Sequence, residues 1–496
     1  MDWCGSSTPR TPEYRTCAQM VNYTLKWMVP ELGGAERLIV DAAVQLSSHG
    51  HDVHVFTAHH DRNRCFEETV SGPFPITVYG DFIPRHVFYH FHAVCAYLRC
   101  IFVALCVLLM WPTFDVILAD QVSVVIPLMK LKKSTKVVFY CHFPDSLLAT
   151  RTTKLRRLYR APIDSVEEAT TGMADLILVN SRFTASTFAK TFKRLNSQGI
   201  QPAVLYPAVN VEQFDGPRAY KVSGFLFEDL RSAGLRHLLS HVKFSIHQWG
   251  KMFFPSLSGM LNFLSVNRFE RKKNIDLAVR AFALLRAFER DILQDLNLTE
   301  VTLTLAGGYD KRLKENVEYL DELKSLAQSE GVFDRIRFSA TTIPPPITHC
   351  TWMIHVLDMT DMPPLVICIL GPLWCVADCS CAILSDILKE LKLKMATMQD
   401  EHFGIVPLEA MAAQKPVIAC NSGGPMETIR HEITGFLCDP TPHEFSQVMA
   451  RLISDTKMAE GMGKEARRHV SELFCTQVFG QRLNGFVTDL ANKKSD

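Results

Sequence analysis

Short apolar runs recur along this chain, with segments of helical length between several of them, and this alternation most narrows its fold. Asp52 to Thr57, Ile76 to Tyr79, Phe114 to Ala119, Lys136 to Tyr140, Leu176 to Asn180 and Val204 to Tyr206 form a first series, with Leu25 to Val29 as a candidate strand ahead of them. Strands buried on both faces read as continuous apolar runs, and their alternation with helices leads to a parallel sheet covered on both sides. After Gly33-Gly34 the period changes, and Leu38, Ile39, Ala42, Ala43 and Leu46 fall on one helical face before Gly50. A second series starts at Leu261 to Val266 and continues with Val301 to Ala306, closed by Gly307-Gly308, then Arg335 to Phe338, Pro416 to Cys420 and Gly435 to Leu437. Leu277, Ala278, Ala281, Leu284 and Leu285 mark a helix after its first strand. The expected fold is α/β, with two doubly wound domains at 25–211 and 261–470 and a ligand cleft between them. Residues 1–24 show no periodicity, 212–260 are irregular enough to be a linker or insertion, and 471–496 are a helical tail.

A length of 496 residues suits two or three domains, and 47% hydrophobic against 21% charged residues excludes a disordered chain or a polytopic membrane protein. The net charge of +1 argues against a nucleic-acid binder driven by bulk electrostatics. The 15 cysteines are scattered; Cys375, Cys379 and Cys381 lack the matching pair that a tetrahedral metal site needs, which points to reduced thiols. Met1 to Met20 lacks the apolar run of a signal peptide. Val94 to Trp111 is apolar except for Arg99, and is a little short for a bilayer span of about 20 residues. It suits a helix in contact with membrane lipid, with Arg99 reaching to the interface, or else a buried helix. Lys130-Leu131-Lys132-Lys133 and Lys154-Leu155-Arg156-Arg157, with Arg160 beyond, are basic clusters that could face anionic lipid headgroups or a diphosphate, or be plain solvated surface.

Several candidate ligand groups stand just beyond strand ends. Gly33-Gly34 opens a helix, a place where backbone N–H groups can meet phosphate, although such a pair also makes a plain turn. His142, in Tyr140-Cys141-His142-Phe143-Pro144-Asp145, could orient or polarise a substrate, whereas a loop histidine with no such role is the commoner case. Arg268, Arg271, Lys272 and Lys273 put four cations within six residues, a diphosphate clamp or a salt-bridged turn. Asn421-Ser422-Gly423-Gly424-Pro425 leads into another Pro-initiated helix. Glu401 and Glu409 stand eight positions apart, the first in a turn and the second expected in the first turn of a helix begun by Pro407. A diphosphate clamp beside acceptors for hydroxyls suits a nucleotide-sugar, hence a glycosyltransferase.

Gly33 to Leu38, Phe139 to Asp145, Tyr159 to Asp164, Asn267 to Asn274, Glu401 to Glu409 and Asn421 to Pro425 together closely resemble the eukaryotic alpha-1,3/1,6-mannosyltransferases of the dolichol pathway. That resemblance implies two Rossmann-like domains of the glycosyltransferase B fold. It also implies GDP-mannose as donor and a dolichyl-diphosphate-linked oligosaccharide as acceptor. Transfer would occur at the endoplasmic reticulum membrane, on its cytosolic face, with other mannosyltransferases of the pathway as possible partners. By the family pattern Arg268 and Lys273 hold the diphosphate, Glu401 contacts mannose and Glu409 the ribose. Gly34, Gly423 and Gly424 approach phosphate or sugar, His142 lies beside the mannose, and neither metal nor cofactor is required. The chain departs from the pattern at Trp27 to Glu31, at 212–260 and at 340–400, the last replacing the helix and strand expected before Glu401. This departure raises an alternative, a catalytically impaired chain serving as a membrane-bound partner in a mannosyltransferase complex.

Overall fold

In the computed structural model, which describes residues 15–20, 34–60, 65–84, 92–148, 154–214, 260–296, 300–342 and 393–493, two parallel sheets are wound in the same order. The first contains β1 (Arg15–Met20), β2 (Asp52–Thr57), β3 (Ile76–Val78), β4 (Val116–Asp120), β5 (Lys136–Cys141), β6 (Leu176–Val179) and β7 (Ala203–Val204), arranged β3-β2-β1-β4-β5-β6-β7. The second contains β8 (Met260–Val266), β9 (Glu300–Tyr309), β10 (Ile336–Thr342), β11 (Leu393–Ala396), β12 (Val417–Cys420) and β13 (Gly435–Cys438), arranged β10-β9-β8-β11-β12-β13. In both sheets the strand order reverses beside the first strand, and the crevice at that reversal is where doubly wound sheets take their ligands.

The apolar runs are continuous because both faces of the first sheet are covered. Val116, Leu118, Val138, Tyr140 and Leu178 belong to one core cluster. Their chain neighbours Ile117, Ala119, Val137, Phe139, Cys141, Ile177 and Val179 belong to another on the opposite face. The helix Gly34–Ser48 buries Leu38, Ile39, Ala42, Ala43 and Leu46, as its period requires. Cys95, Cys106, Cys141, Cys420, Cys438 and Cys475 are not in disulfides.

Several expectations need correction. The central strand of the first sheet is Arg15–Met20, ahead of the boundary set at residue 25, while Leu25 to Val29 lies outside the described residues. Its sequence, Arg-Thr-Cys-Ala-Gln-Met, carries no apolar run, so no periodicity marks it. Strand β9 does not stop at Gly307-Gly308 but runs on to Tyr309, paired with β10 through both glycines. Gly307 is needed because the Asn267 backbone crosses it, and a Cβ there would meet the Asn267 carbonyl oxygen at 1.5 Å. Leu284 is exposed, while Leu277, Ala278, Ala281 and Leu285 are buried. The strand taken to be lost from 340–400 is present as β11, seated between β8 and β12 with Leu393 opposite Phe263 and Lys394 opposite Val417. Residues 343–392, including Cys375, Cys379 and Cys381, lie outside the described residues, as do Gly33 and most of 212–260.

The final helix, Thr476–Asn492, is not a free tail. Its Phe479, Leu483, Val487, Leu490 and Ala491 complete the core over the helix Gly34–Ser48. Gly480 lets the two helices approach, since a Cβ there would meet the Gln45 side chain at 2.3 Å. His51 Nε2 and Asn484 Oδ1 lie 2.6 Å apart at the same contact.

The helix His92–Met110 is long and apolar enough to cross a membrane, but it lies against the first sheet. Cys95, Ala96, Cys100, Val103, Ala104 and Val107 are buried, whereas Val94, Leu98, Leu105, Leu109 and Met110 are exposed. Arg99 does not reach outward. It points to the protein side, where its Nη2 donates to the Ala58 carbonyl at 2.9 Å. A guanidinium on the covered face finds a carbonyl there, so it has no need of the interface.

Candidate active site

The donor-side candidates converge where β8 and β11 end. Asn274 adopts a left-handed conformation (φ 51°), closing the short turn Arg271–Lys273 before the helix Ile275–Leu296. The Lys273 carbonyl accepts from Thr397 Oγ1 at 2.9 Å, which ties this turn to the segment after β11. Lys273 Nζ then reaches Glu401 Oε2 at 3.0 Å and Met398 Sδ at 3.0 Å. Both charged side chains are partly covered, so their attraction is screened less than on an open surface.

Glu401 is cradled from below by the glycine loop. Gly424 N–H donates to the Glu401 carbonyl at 2.7 Å, and Asp400 N–H donates to Ser422 Oγ at 2.9 Å. Gly423 takes φ 68°, and a Cβ on it would meet the Glu401 carbonyl oxygen at 2.4 Å. A Cβ on Gly424 would meet the Phe403 carbonyl oxygen at 2.3 Å. Two glycines are therefore the condition for this packing.

The helix carrying Glu409 begins earlier than Pro407 suggests, running Ile405–Ala412 with Gly404 (φ 85°) as its cap. Proline fits there because the first-turn N–H groups have no helical partner to lose. Glu409 consequently sits past the first turn, half-buried, eight positions from Glu401 on a separate element. Of the four clustered cations, Lys273 pairs with Glu401. Arg271 pairs with Glu322, and Arg268 and Lys272 both lie near the buried Glu270 carboxylate, at 3.5 and 3.1 Å. Gly34 opens its helix as expected.

His142 comes from the other domain, just past β5. Its Nε2 lies 2.8 Å from Asp120 Oδ1, and Asn180 Nδ2 donates to its carbonyl at 3.0 Å. The next residue, Phe143, stacks flat on His402 with ring centroids 3.6 Å apart, which brings the His142 loop onto the Glu401 loop. Burial holds the His402 imidazole down to about 4, against the pull of Glu401 and with a push from Lys273, so it is neutral at ordinary pH. Ser181 Oγ donates to the His402 carbonyl at 2.5 Å, a second crossing between the domains. A third is Glu427, whose carboxylate accepts from the Arg182 and Phe183 N–H groups at 2.8 and 2.7 Å and from Tyr206 OH at 3.0 Å.

Asp120, His402 and Glu427 escaped the sequence reasoning. Asp120 ends a buried run, Val-Ile-Leu-Ala-Asp, so the rule that singled out His142 at a strand end also applies to it. Glu427 follows Gly-Gly-Pro in the first turn of a helix, where an acidic residue reads as routine dipole compensation. Among the described residues no group of three or more His, Cys, Asp and Glu side chains gathers as a metal site would.

Two sheets of one winding order, with a lysine–carboxylate pair over a glycine loop facing a histidine of the opposite domain, define a glycosyltransferase of the B fold. Residues 32–213 match the family described as Glycosyltransferase Family 4, and residues 382–469 match Glycosyl transferases group 1. The chain belongs to the alpha-1,3/1,6-mannosyltransferase family. It is 40% identical over 463 residues to Alpha-1,3/1,6-mannosyltransferase ALG2 of Homo sapiens, covering 92% of this chain and 94% of that protein. To the Rhizomucor pusillus protein of the same name it is 37% identical over 469 residues, covering 94% and 91%. Among solved structures, sucrose-phosphate synthase from Thermosynechococcus elongatus superposes with a TM-score of 0.64 at 17% identity, over 97% of this chain and 100% of that one. An alpha,alpha-trehalose-phosphate synthase from Burkholderia vietnamiensis does so with 0.62 at 12%, over 98% and 99%, and both likenesses concern the fold. The strand expected before Glu401 is in place as β11 and Lys273 meets Glu401, while the expected helix falls in residues 343–392, outside the described residues.

Proposed function

We propose that this chain is a retaining mannosyltransferase that takes mannose from GDP-mannose and adds it to mannosyl-chitobiosyl-diphospho-dolichol, first in alpha-1,3 and then in alpha-1,6 linkage. It works at the endoplasmic reticulum membrane with its cleft open to the cytosol. The observation that carries this reading is the Lys273–Glu401 pair over Gly423-Gly424, held against the His142-Phe143 loop by the Phe143–His402 stack. In this assignment Lys273 and Arg268 neutralise the charge that grows on the departing diphosphate, the largest single term that a preorganised site supplies. Glu401 accepts from mannose hydroxyls, Glu409 from the ribose, and the backbone at Gly34, Gly423 and Gly424 meets phosphate or sugar. The acceptor hydroxyl attacks from the face that GDP leaves, assisted by the departing phosphate. Because cationic side chains carry the leaving-group charge, the reaction needs neither metal nor cofactor.

The test is transfer by the purified full chain from labelled GDP-mannose to a synthetic lipid-linked acceptor, with and without EDTA. Lys273→Ala is expected to lower kcat by about 10² to 10³-fold, and EDTA to leave the wild type unchanged. Full turnover by Lys273→Ala would sink the assignment of that residue, and loss of activity in EDTA would sink the metal-free mechanism.

A further inference from the structure

The N-terminal side of the cleft contains an acid–imidazole pair to which the transfer mechanism gives only half a role. Asp120 is the last residue of β4, is 5% exposed, and directs Oδ1 at His142 Nε2 from 2.8 Å. The chain leaves Asp120 through Gln121 at φ 59°, a left-handed conformation that a residue with a Cβ seldom adopts. That turn is pinned by Gln121 N–H donating to the Tyr140 carbonyl at 3.2 Å and by Val122 N–H donating to the Asp120 carbonyl at 2.7 Å. Backbone held in a sparsely populated region, with its neighbours fastening it, is typical of positions fixed for a task. The imidazole is fixed from its own side as well: Asn180 anchors its carbonyl, and the Tyr140 ring lies against it at 4.8 Å between centroids.

An ionised carboxylate can only accept a hydrogen bond, so the proton between the two groups belongs to Nε2. In the neutral ring Nδ1 is then an acceptor, and it has no protein partner among the described residues. The ring sits one residue before the Phe143–His402 stack, where the loops of the two domains meet. A buried carboxylate whose partner is an imidazole is costly if it serves packing alone. The cost is understandable if the pair fixes which nitrogen carries the proton.

We propose that Asp120 is the positioning residue for His142, holding the Nε2–H tautomer so that Nδ1 accepts a hydroxyl of the transferred sugar. This rests on the reading of the cleft as a mannosyl-transfer site. The imidazole 15N shifts of the histidine-labelled full chain, with His142 assigned by its loss in His142→Ala, are expected to show the Nε2–H tautomer. In Asp120→Asn the amide can donate to Nε2, and the Nδ1–H form is expected to appear. Transfer by Asp120→Asn is expected to lose about 10²-fold in kcat, with the KM for GDP-mannose within about threefold of wild type. Added to His142→Ala, the same change should cost less than about threefold more, because the two residues act as a unit. An Nδ1–H tautomer in the wild type, wild-type kcat in Asp120→Asn, or losses that multiply with His142→Ala would each overturn the proposal. The nitrogen shifts of the wild type need neither a folded variant nor activity. A wild-type chain with the expected tautomer that transfers no mannose would overturn the mannosyl-transfer reading instead.

Discussion

His402 is where a single residue links the two halves of the cleft, because its ring covers Phe143 and its carbonyl accepts from Ser181. Unfolded, the imidazole takes up a proton near its ordinary 6.5; folded, burial delays this to about 4. Between those values the unfolded chain binds more protons, so this residue's contribution to stability is complete above about 6.5 and is lost as pH falls toward 4. His402→Phe keeps a ring for the stack and removes the titration. The thermal midpoint of the wild type should therefore fall more steeply than that of His402→Phe between pH 6.5 and 4, and parallel curves would show that His402 does not set the acid limit. Lys273, Glu401 and the glycine loop could be grouped from sequence because each stands by a strand end or a helix start, where ligand groups gather. Asp120 also ends a strand, but its role comes from a partner 22 residues away just past another strand, and that of His402 from a ring in the other domain, and neither pairing is written in the local sequence.

At the scale of elements, the helix Arg182–Thr191 is capped twice at its N-terminus, by its own Ser181 Oγ on Thr184 N–H and by Glu427 from the opposite domain. The first N–H groups of a helix have no internal partner and carry partial positive charge, so a carboxylate there is held both by hydrogen bonds and by the dipole. Burial, then the Glu427 carboxylate, keeps the Tyr206 hydroxyl protonated to higher pH than usual, which suits its place as donor to that cap. Glu427→Ala should cost about 1 to 2 kcal/mol and speed hydrogen exchange of the Arg182 and Phe183 amides. Unchanged exchange there would show that the domain contact does not depend on this carboxylate. The elements that could be read from sequence are those whose burial on both faces leaves an unbroken apolar run, such as Val-Ile-Leu-Ala of β4 and Val-Ile-Ala-Cys of β12. β1 and β11, Arg-Thr-Cys-Ala-Gln-Met and Leu-Lys-Met-Ala, are central yet carry polar residues, and only their pairing on both sides shows them to be strands.

Across the whole molecule, the chain is fastened back on itself by Thr476–Asn492, and it leaves one large apolar surface uncovered by any described residue. On the helix His92–Met110 the exposed residues Val94, Leu98, Leu105 and Leu109 fall at helical spacing opposite the buried Cys100, Val103 and Val107. Phe82, 78% exposed, extends the patch, its ring edge-on to Phe102 at 5.3 Å. Lys132 Nζ donates to the Trp111 carbonyl at 2.6 Å, placing a cation just beyond the end of this helix. An apolar stripe next to cations fits a helix lying in the interface of an anionic membrane, with its other face fixed to the protein core. An acceptor whose reacting sugar is tethered to a lipid would reach the cleft of an enzyme held in this way. Burial of one leucine side chain is worth roughly 1.5 to 3 kcal/mol, so Leu98→Glu with Leu105→Glu should weaken binding to vesicles by more than about 10²-fold. The double variant should still bind GDP, because neither residue contacts Lys273 or Glu401. Sedimentation with phosphatidylcholine–phosphatidylserine vesicles measures this, and a double variant that pellets as well as the wild type would assign membrane attachment to another part of the chain.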